Sequence, residues 1–265
     1  MAPSLFGWNA YIFGIAVPGQ QASVEKRTMM RRQLPIPNFL REMFQGHPDL
    51  GRKQVFKFHH EIHSDYIYNQ GSIKIGTLAE YRIHEKQTIK DSMDGVETMK
   101  VSEATNFKDI HPGSLIQNVV KLDGCEDVIF ENVTIIGPEY NFHVYCFSYS
   151  DSQECIDTFV DESSYTCTAI CSDIFEVADL ICNYHPKLRG CKYFCLPVIY
   201  KDNFRGPSVP RAHPLEIIFE KSAKFKGNRE GRIVFLRPDL RVTPLHPWSH
   251  PKLIELFRPH IGASG

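Results

Sequence analysis

Eight cysteines are present, at 125, 146, 155, 167, 171, 182, 191 and 195, but no two stand in a C-x2-C arrangement. That absence argues against a zinc site of the usual finger spacing, so free thiols and no metal are expected. An excess of positive charge is also missing. Thirty Lys and Arg face 31 Asp and Glu, for a net charge of −1, so no global basic field draws in nucleic acid. A polynucleotide partner would have to be held by a local patch. No apolar run is long enough to span a bilayer. The opening stretch, MAPSLFGWNAYIFGIAVPGQ, is broken at Gly7, Asn9, Gly14 and Pro18, and no Lys or Arg precedes it as in a secretory signal. Internal repeats and low-complexity tracts are absent too. The expectation is a cytoplasmic chain with reduced cysteines and no membrane contact.

What is present suits an ordinary globular body. The hydrophobic share is 42% and the charged share 23%. Residues 24–44 change character, with Lys26, Arg27, Arg31 and Arg32 followed by Pro35 and Pro37. They are either a solvated helix and linker or a basic handle for a polynucleotide or an acidic partner protein. Regular alternation begins near Gln54. The division expected is an apolar and basic arm over 1–45, a body over 46–245 and a tail over 246–265.

Within the body, VFKFHH at 55–60 alternates as a strand. A short helix is expected over 61–70, ended by Gly71, and a strand follows with Ile73 and Ile75 on one side. Residues 98–137 read as loop and short strands, SLIQNVVKL among them. Further strands are expected at NFHVYCFSYS (141–150), YTCTAICS (165–172), KYFCLPVIYK (192–201), LEIIFEK (215–221) and RIVFLRP (232–238). Asp173 is placed to cap a helix over DIFEVADLICNYH. One short helix is expected around Lys252–Phe257. Many short strands, few helices and no regular strand–helix alternation make the class α+β.

Two places carry concentrated chemistry. From Gly71 to Glu97 a strand gives way to a charged loop holding Arg82, Glu85, Asp91, Asp94 and Glu97, closed by the turn signal Asp94-Gly95. Asn228-Arg229-Glu230-Gly231-Arg232 stands at the entry to a strand, where glycine lets a backbone approach a ligand closely. An arginine suits a phosphate, which it binds bidentately, so the pair suggests a ligand joining phosphates to a sugar. Solvated surface ion pairs would account for the same residues. The HEIH run at 60–63 lacks the one-turn histidine spacing of H-E-x-x-H.

The order of these signals resembles a poorly characterised bacterial family common in phage-defence and toxin loci. The resemblance runs through Lys57-Phe58, the Asp91-x-x-Asp94-Gly95 loop, Cys146-Phe147-Ser148 and the strand–helix–strand at 165–200. It ends with Phe219, Lys221, Phe225, Glu230 and Arg232. The layout is similar to ADP-ribosyltransferase toxins that modify nucleic acids, whose late motif is often Glu-x-Glu or Gln-x-Glu. Here that motif is Asn228-Arg229-Glu230 and departs at its first position. The resemblance implies a split pair of short antiparallel sheets with few helices, and NAD as substrate without a metal. It implies Glu230 at the ribose, Arg82 at the diphosphate, and Lys57, Phe58 and Tyr81 lining the adenosine or nicotinamide pocket. Asn228 or Arg229 would help orient the acceptor, an RNA or DNA, and a neutralising antitoxin or partner protein is expected. Two alternatives stay open. One is a Mg²⁺-dependent nuclease using Glu85, Asp91, Asp94 and Glu97, which lacks the compact carboxylate–lysine pattern. The other is a non-catalytic sensor or interaction domain.

Overall fold

The computed structural model describes residues 31–84, 93–122, 127–160, 167–201, 204–237 and 242–260. Glu85 and Asp91, and most of the expected N-terminal arm, lie outside the described residues.

Pro37 precedes a first helix, α1 (Asn38–Phe44), whose Leu40 and Phe44 are fully buried. β1 (Val55–His59) follows, and a short turn leads to α2 (Ser64–Tyr68). Gly71, at φ +56, ends that helical segment and opens β2 (Ser72–Ile73) and β3 (Gly76–Thr77). Ile73 and Ile75 are buried in one cluster, as their spacing predicts. The next residues form helix α3 (Leu78–His84) instead of a loop. Thr77 and Glu80 build a capping box: the Thr77 hydroxyl accepts from the Glu80 amide at 3.1 Å, and the Glu80 carboxylate from the Thr77 amide at 2.9 Å.

β4 (Val96–Val101), β5 (Thr105–Asn106), α4 (Leu115–Val119), β6 (Ile129–Phe130) and β7 (Val133–Glu139) come next. The expected strand character of SLIQNVVKL is corrected here: Ser114 caps a helical turn that buries Leu115 and Ile116. β8 (His143–Ser148), α5 (Gln153–Val160), β9 (Cys167–Cys171) and α6 (Ile174–Tyr184) follow. Asp173 caps α6, accepting from the Phe175 and Glu176 amides at 3.0 and 3.2 Å. Then come β10 (Lys192–Pro197), β11 (Ile199–Lys201), β12 (Phe204–Arg205), α7 (Pro214–Ile218), β13 (Glu220–Ser222) and β14 (Glu230–Leu236). LEIIFEK is therefore mostly helix, because His213 caps it and Pro214 sits at its first position, where a missing N–H costs nothing. β15 (Trp248–Ser249), α8 (Pro251–Leu256) and β16 (Phe257–Pro259) are the last described elements.

The main sheet is antiparallel, in the order β10-β14-β8-β1-β9-β16. Smaller sheets accompany it, among them β12-β4-β7. The fold is thus mixed, with several small antiparallel sheets and few helices. Both ends of the described residues join the body: the Leu34 amide donates to the Tyr193 carbonyl at 2.8 Å, and β16 pairs with β9.

Strand alternation sorts the sheet into two faces. One carries Tyr145, Tyr193, Ile233 and Phe235 against α6. The other carries Val144, Phe194, Leu196 and Val234 against α1, Leu78, Ile218 and Phe219. Beside β8 the sheet forks. β3 pairs with His143 and Val144, whereas β1 pairs with Ser148. Between those points the Lys57 ammonium donates to the Cys146 carbonyl at 2.8 Å.

Candidate functional site: a buried cluster of four charges at the start of β14

Glu230 and Arg232 are two residues apart on β14, so both side chains leave the same face of the sheet. Arg232 is fully buried. Its guanidinium donates to both Asp94 oxygens, at 2.8 and 2.6 Å, and through Nε to Glu230 Oε1 at 2.5 Å. It also donates to the Ile218 carbonyl. Lys221, on β13, donates to Glu230 Oε2 at 2.8 Å. Two carboxylates and two cations therefore balance, each at most 8% exposed. An unbalanced charge at this depth would be strongly destabilising, so the four stand or fall together.

The backbone supports this arrangement. Gly95, at φ +72, makes the turn that presents Asp94. A Cβ there would sit 2.8 Å from the Tyr140 carbonyl oxygen and 3.2 Å from an Arg82 nitrogen, so no larger residue fits. Tyr200 is registered opposite Lys221, and its hydroxyl accepts from the Glu230 amide at 2.6 Å.

Burial works to raise both carboxyls. For Glu230 the nearby Arg232 and Lys221 outweigh it and hold the group well below the usual carboxylate range. At Asp94 burial prevails over the pull of Arg232 and Lys221, and the carboxyl is pushed up. Arg232 is disfavoured by burial, yet Asp94 and Glu230 keep it firmly charged.

Arg82 lies on α3 and is itself buried. It donates to the Asp94 carbonyl at 2.6 Å and to the Glu139 carboxylate at 2.8 Å. Arg82 and Glu230, 148 positions apart in sequence, are thus joined through Asp94 and Arg232. Tyr81 packs into the same apolar layer that holds Val144 and Val234. Phe58 shares the face of Glu230, because Phe56 and Glu230 both pair with Ser148. Lys57 projects to the opposite face, over the Tyr145 ring, and so is not brought to the cluster. Asn228 is buried, with its carbonyl accepting from the Ser148 hydroxyl at 2.9 Å and its Oδ1 without a hydrogen-bond partner. Arg229, in the left-handed region at φ +43, points away from the cluster to Asp49 at 2.7 Å.

Glu97 belongs to a neighbouring group. Its carboxylate takes Arg211 at 3.1 Å and the Ala212 amide at 3.0 Å. A cleft of about 200 Å³ lies at the far end of β14, lined by Glu139, Tyr140, Phe142, Phe235 and Arg237 among others. It is smaller than an ordinary ligand pocket. Among the described residues, no three His, Cys, Asp or Glu side chains gather as a metal site, and no helix is long and apolar enough to cross a membrane. The seven described cysteines are free thiols.

Tyr200 was not singled out from the sequence, and Lys221 entered only through the resemblance, with no site role. Lys221 had a signal, since it precedes Glu230-x-Arg232 by nine residues, but its strand is only three residues long. No family model, curated protein or solved structure matches this chain.

Proposed function

We propose that the chain is an NAD-using ADP-ribosyltransferase acting on a nucleic acid, a defence or toxin effector, with its chemistry centred on Glu230. The observation that carries this reading is the connection of Arg82 to Glu230 within one cluster beside a forked sheet. The fork also favours an ADP-ribosyltransferase-like split of the sheet.

Breaking the nicotinamide–ribose bond develops positive charge on the ribose. A carboxylate held ionised by two cations stabilises that charge as it appears, which speeds the reaction without tightening substrate binding. Both Glu230 oxygens are engaged here, so a ribose hydroxyl must replace the Lys221 contact at Oε2. At Arg82 the replaceable partner is Glu139, whose side chain is 66% exposed. So solvent-screened a pair contributes about 0–1 kcal/mol, and a diphosphate presenting two oxygens displaces it readily.

A second reading, a non-catalytic interaction domain, is favoured by the closure of the same network, since four balanced charges also serve to stitch β13, β14 and the Asp94 turn together. The nuclease reading has less support. Asp94 and Glu97 are each committed to an arginine. Incubating the protein with NAD and single-stranded RNA or DNA, and measuring free nicotinamide, separates the first two readings. Arg82→Ala should weaken NAD binding in a calorimetric titration and Arg82→Lys should restore only part of it, because an ammonium lacks the guanidinium fork. Wild-type protein that neither binds NAD nor releases nicotinamide would leave the interaction domain standing.

A further inference from the structure

On the opposite side of the sheet from Glu230, three segments meet around a succession of aromatic rings. Tyr184, at the end of α6, lies 5.0 Å from the His250 ring with 30° between their planes. Trp248 lies 5.6 Å beyond His250, at 35°. His185, buried beneath, braces Trp248 at 5.4 Å. Backbone pairing fixes the rings in place. Trp248 is registered with Ile73, and the His250 amide donates to the Gly71 carbonyl at 3.0 Å. Gly71 permits that approach, since a Cβ there would be 2.5 Å from the His250 carbonyl oxygen. The outer ring, Tyr184, is 46% exposed.

The segments that carry Tyr184, Trp248 and His250 are mostly positive in charge. Residues 184–191 and 242–254 carry no carboxylate, and the exposed Glu255 follows them on α8. They contain Lys187, Arg189 and Lys252, all exposed. In a chain of net charge −1 these three cations offer a local basic stretch to a polyanion. Burial and the nearby Lys252 lower the His250 pKa, which keeps its ring neutral and able to stack.

We infer that the Tyr184–His250–Trp248 ladder is a stacking platform for single-stranded nucleic acid, with a base continuing the stack on Tyr184 and the flanking cations following the phosphates. Aromatic side chains accept any base face, and a basic groove supplies affinity that falls with salt. A duplex keeps its bases stacked on one another and gains only the charge contribution. The inference deepens the acceptor half of the reading above, yet it is tested with no NAD present, so its failure is distinct from failure of nicotinamide release.

The test uses the full chain carrying Trp8→Phe, so that Trp248 is the one remaining tryptophan. Labelled dT20 and U20 are titrated by fluorescence anisotropy at several salt concentrations, with Trp248 quenching read in parallel. Saturable quenching, a negative salt slope and weaker binding of a matched duplex are expected. Tyr184→Ala, at an exposed position, should weaken binding about tenfold or more, and Tyr184→Phe should retain it. Lys187→Gln with Arg189→Gln should flatten the salt slope. No binding of either oligomer, equal binding after Tyr184→Ala, or equal binding of duplex or of polyglutamate would overturn the inference.

Discussion

Replacing Arg232 with methionine should be among the most damaging single changes to the described body. The substitution keeps an unbranched side chain but removes the charge that Asp94 and Glu230 share. What remains is two carboxylates against Lys221 alone, at 5%, 8% and 3% exposure. The Ile218 carbonyl also loses its partner. Removing one member of a buried ion cluster costs about 3–5 kcal/mol, a large part of a typical stability of about 5–15 kcal/mol. With a urea dependence of about 2–3 kcal/mol per molar, the midpoint should fall by roughly 1–2 M. The pH dependence has a definite sign. In the wild type Glu230 is depressed below its unfolded value of about 4.3. Its stabilisation is therefore present above that value and is lost as pH falls through the lower folded one. In Arg232→Met the Glu230 carboxyl rises instead and Asp94, already raised by burial, rises further, so the variant recovers as they protonate. The gap between the two proteins should narrow from pH 7.5 to pH 5. Replacing all four charged residues with apolar ones of similar volume should restore most of the loss. A cost below about 1 kcal/mol at pH 7.5, or a gap that does not change with pH, would refute the buried network.

Two further changes test the packing around it. Gly231→Ala places a Cβ 2.4 Å from the Phe147 ring and 2.6 Å from that of Tyr149, so thermal melting should show a loss of about 1–3 kcal/mol. Asp173→Ala removes the acceptor of two amides at the start of α6 and should cost about 1 kcal/mol by urea titration, while Asp173→Asn should retain most of the stability.

β1, β8, β9, β10 and β14 were legible in the sequence as apolar and aromatic runs of five or more residues, whereas β4 (Val96–Val101) was not, because Gly71–Glu97 read as a strand followed by a charged loop. The α6 helix was legible from Asp173 and the apolar spacing that follows it. Of the short helices, α2 and α8 are present where they were expected, within 61–70 and around Lys252–Phe257, whereas α3, α4 and α7 were not legible. α3 announced itself only through the Thr77-Leu78-Ala79-Glu80 capping box, which the neighbouring charges obscured. α4 and α7 present adjacent apolar residues that suit a strand equally well, and only Ser114, His213 and Pro214 tip them to helix. For the site, the spacing of Glu230 and Arg232 places both on one face without further information. Asp94 lies 138 positions from Arg232, and nothing local records that their side chains meet. Lys57 is parted from Phe58 by the same alternation that made β1 recognisable: adjacent strand residues face opposite sides.

Nicotinamide release from NAD in the presence of single-stranded RNA, measured for the wild type and Glu230→Gln side by side at pH 7.5, tests the central claim most directly. The account predicts turnover by the wild type and a fall of about 10²-fold or more in the variant, the scale of one lost transition-state contact, with NAD affinity little changed. Equal turnover by the two proteins, or none by the wild type, would contradict it.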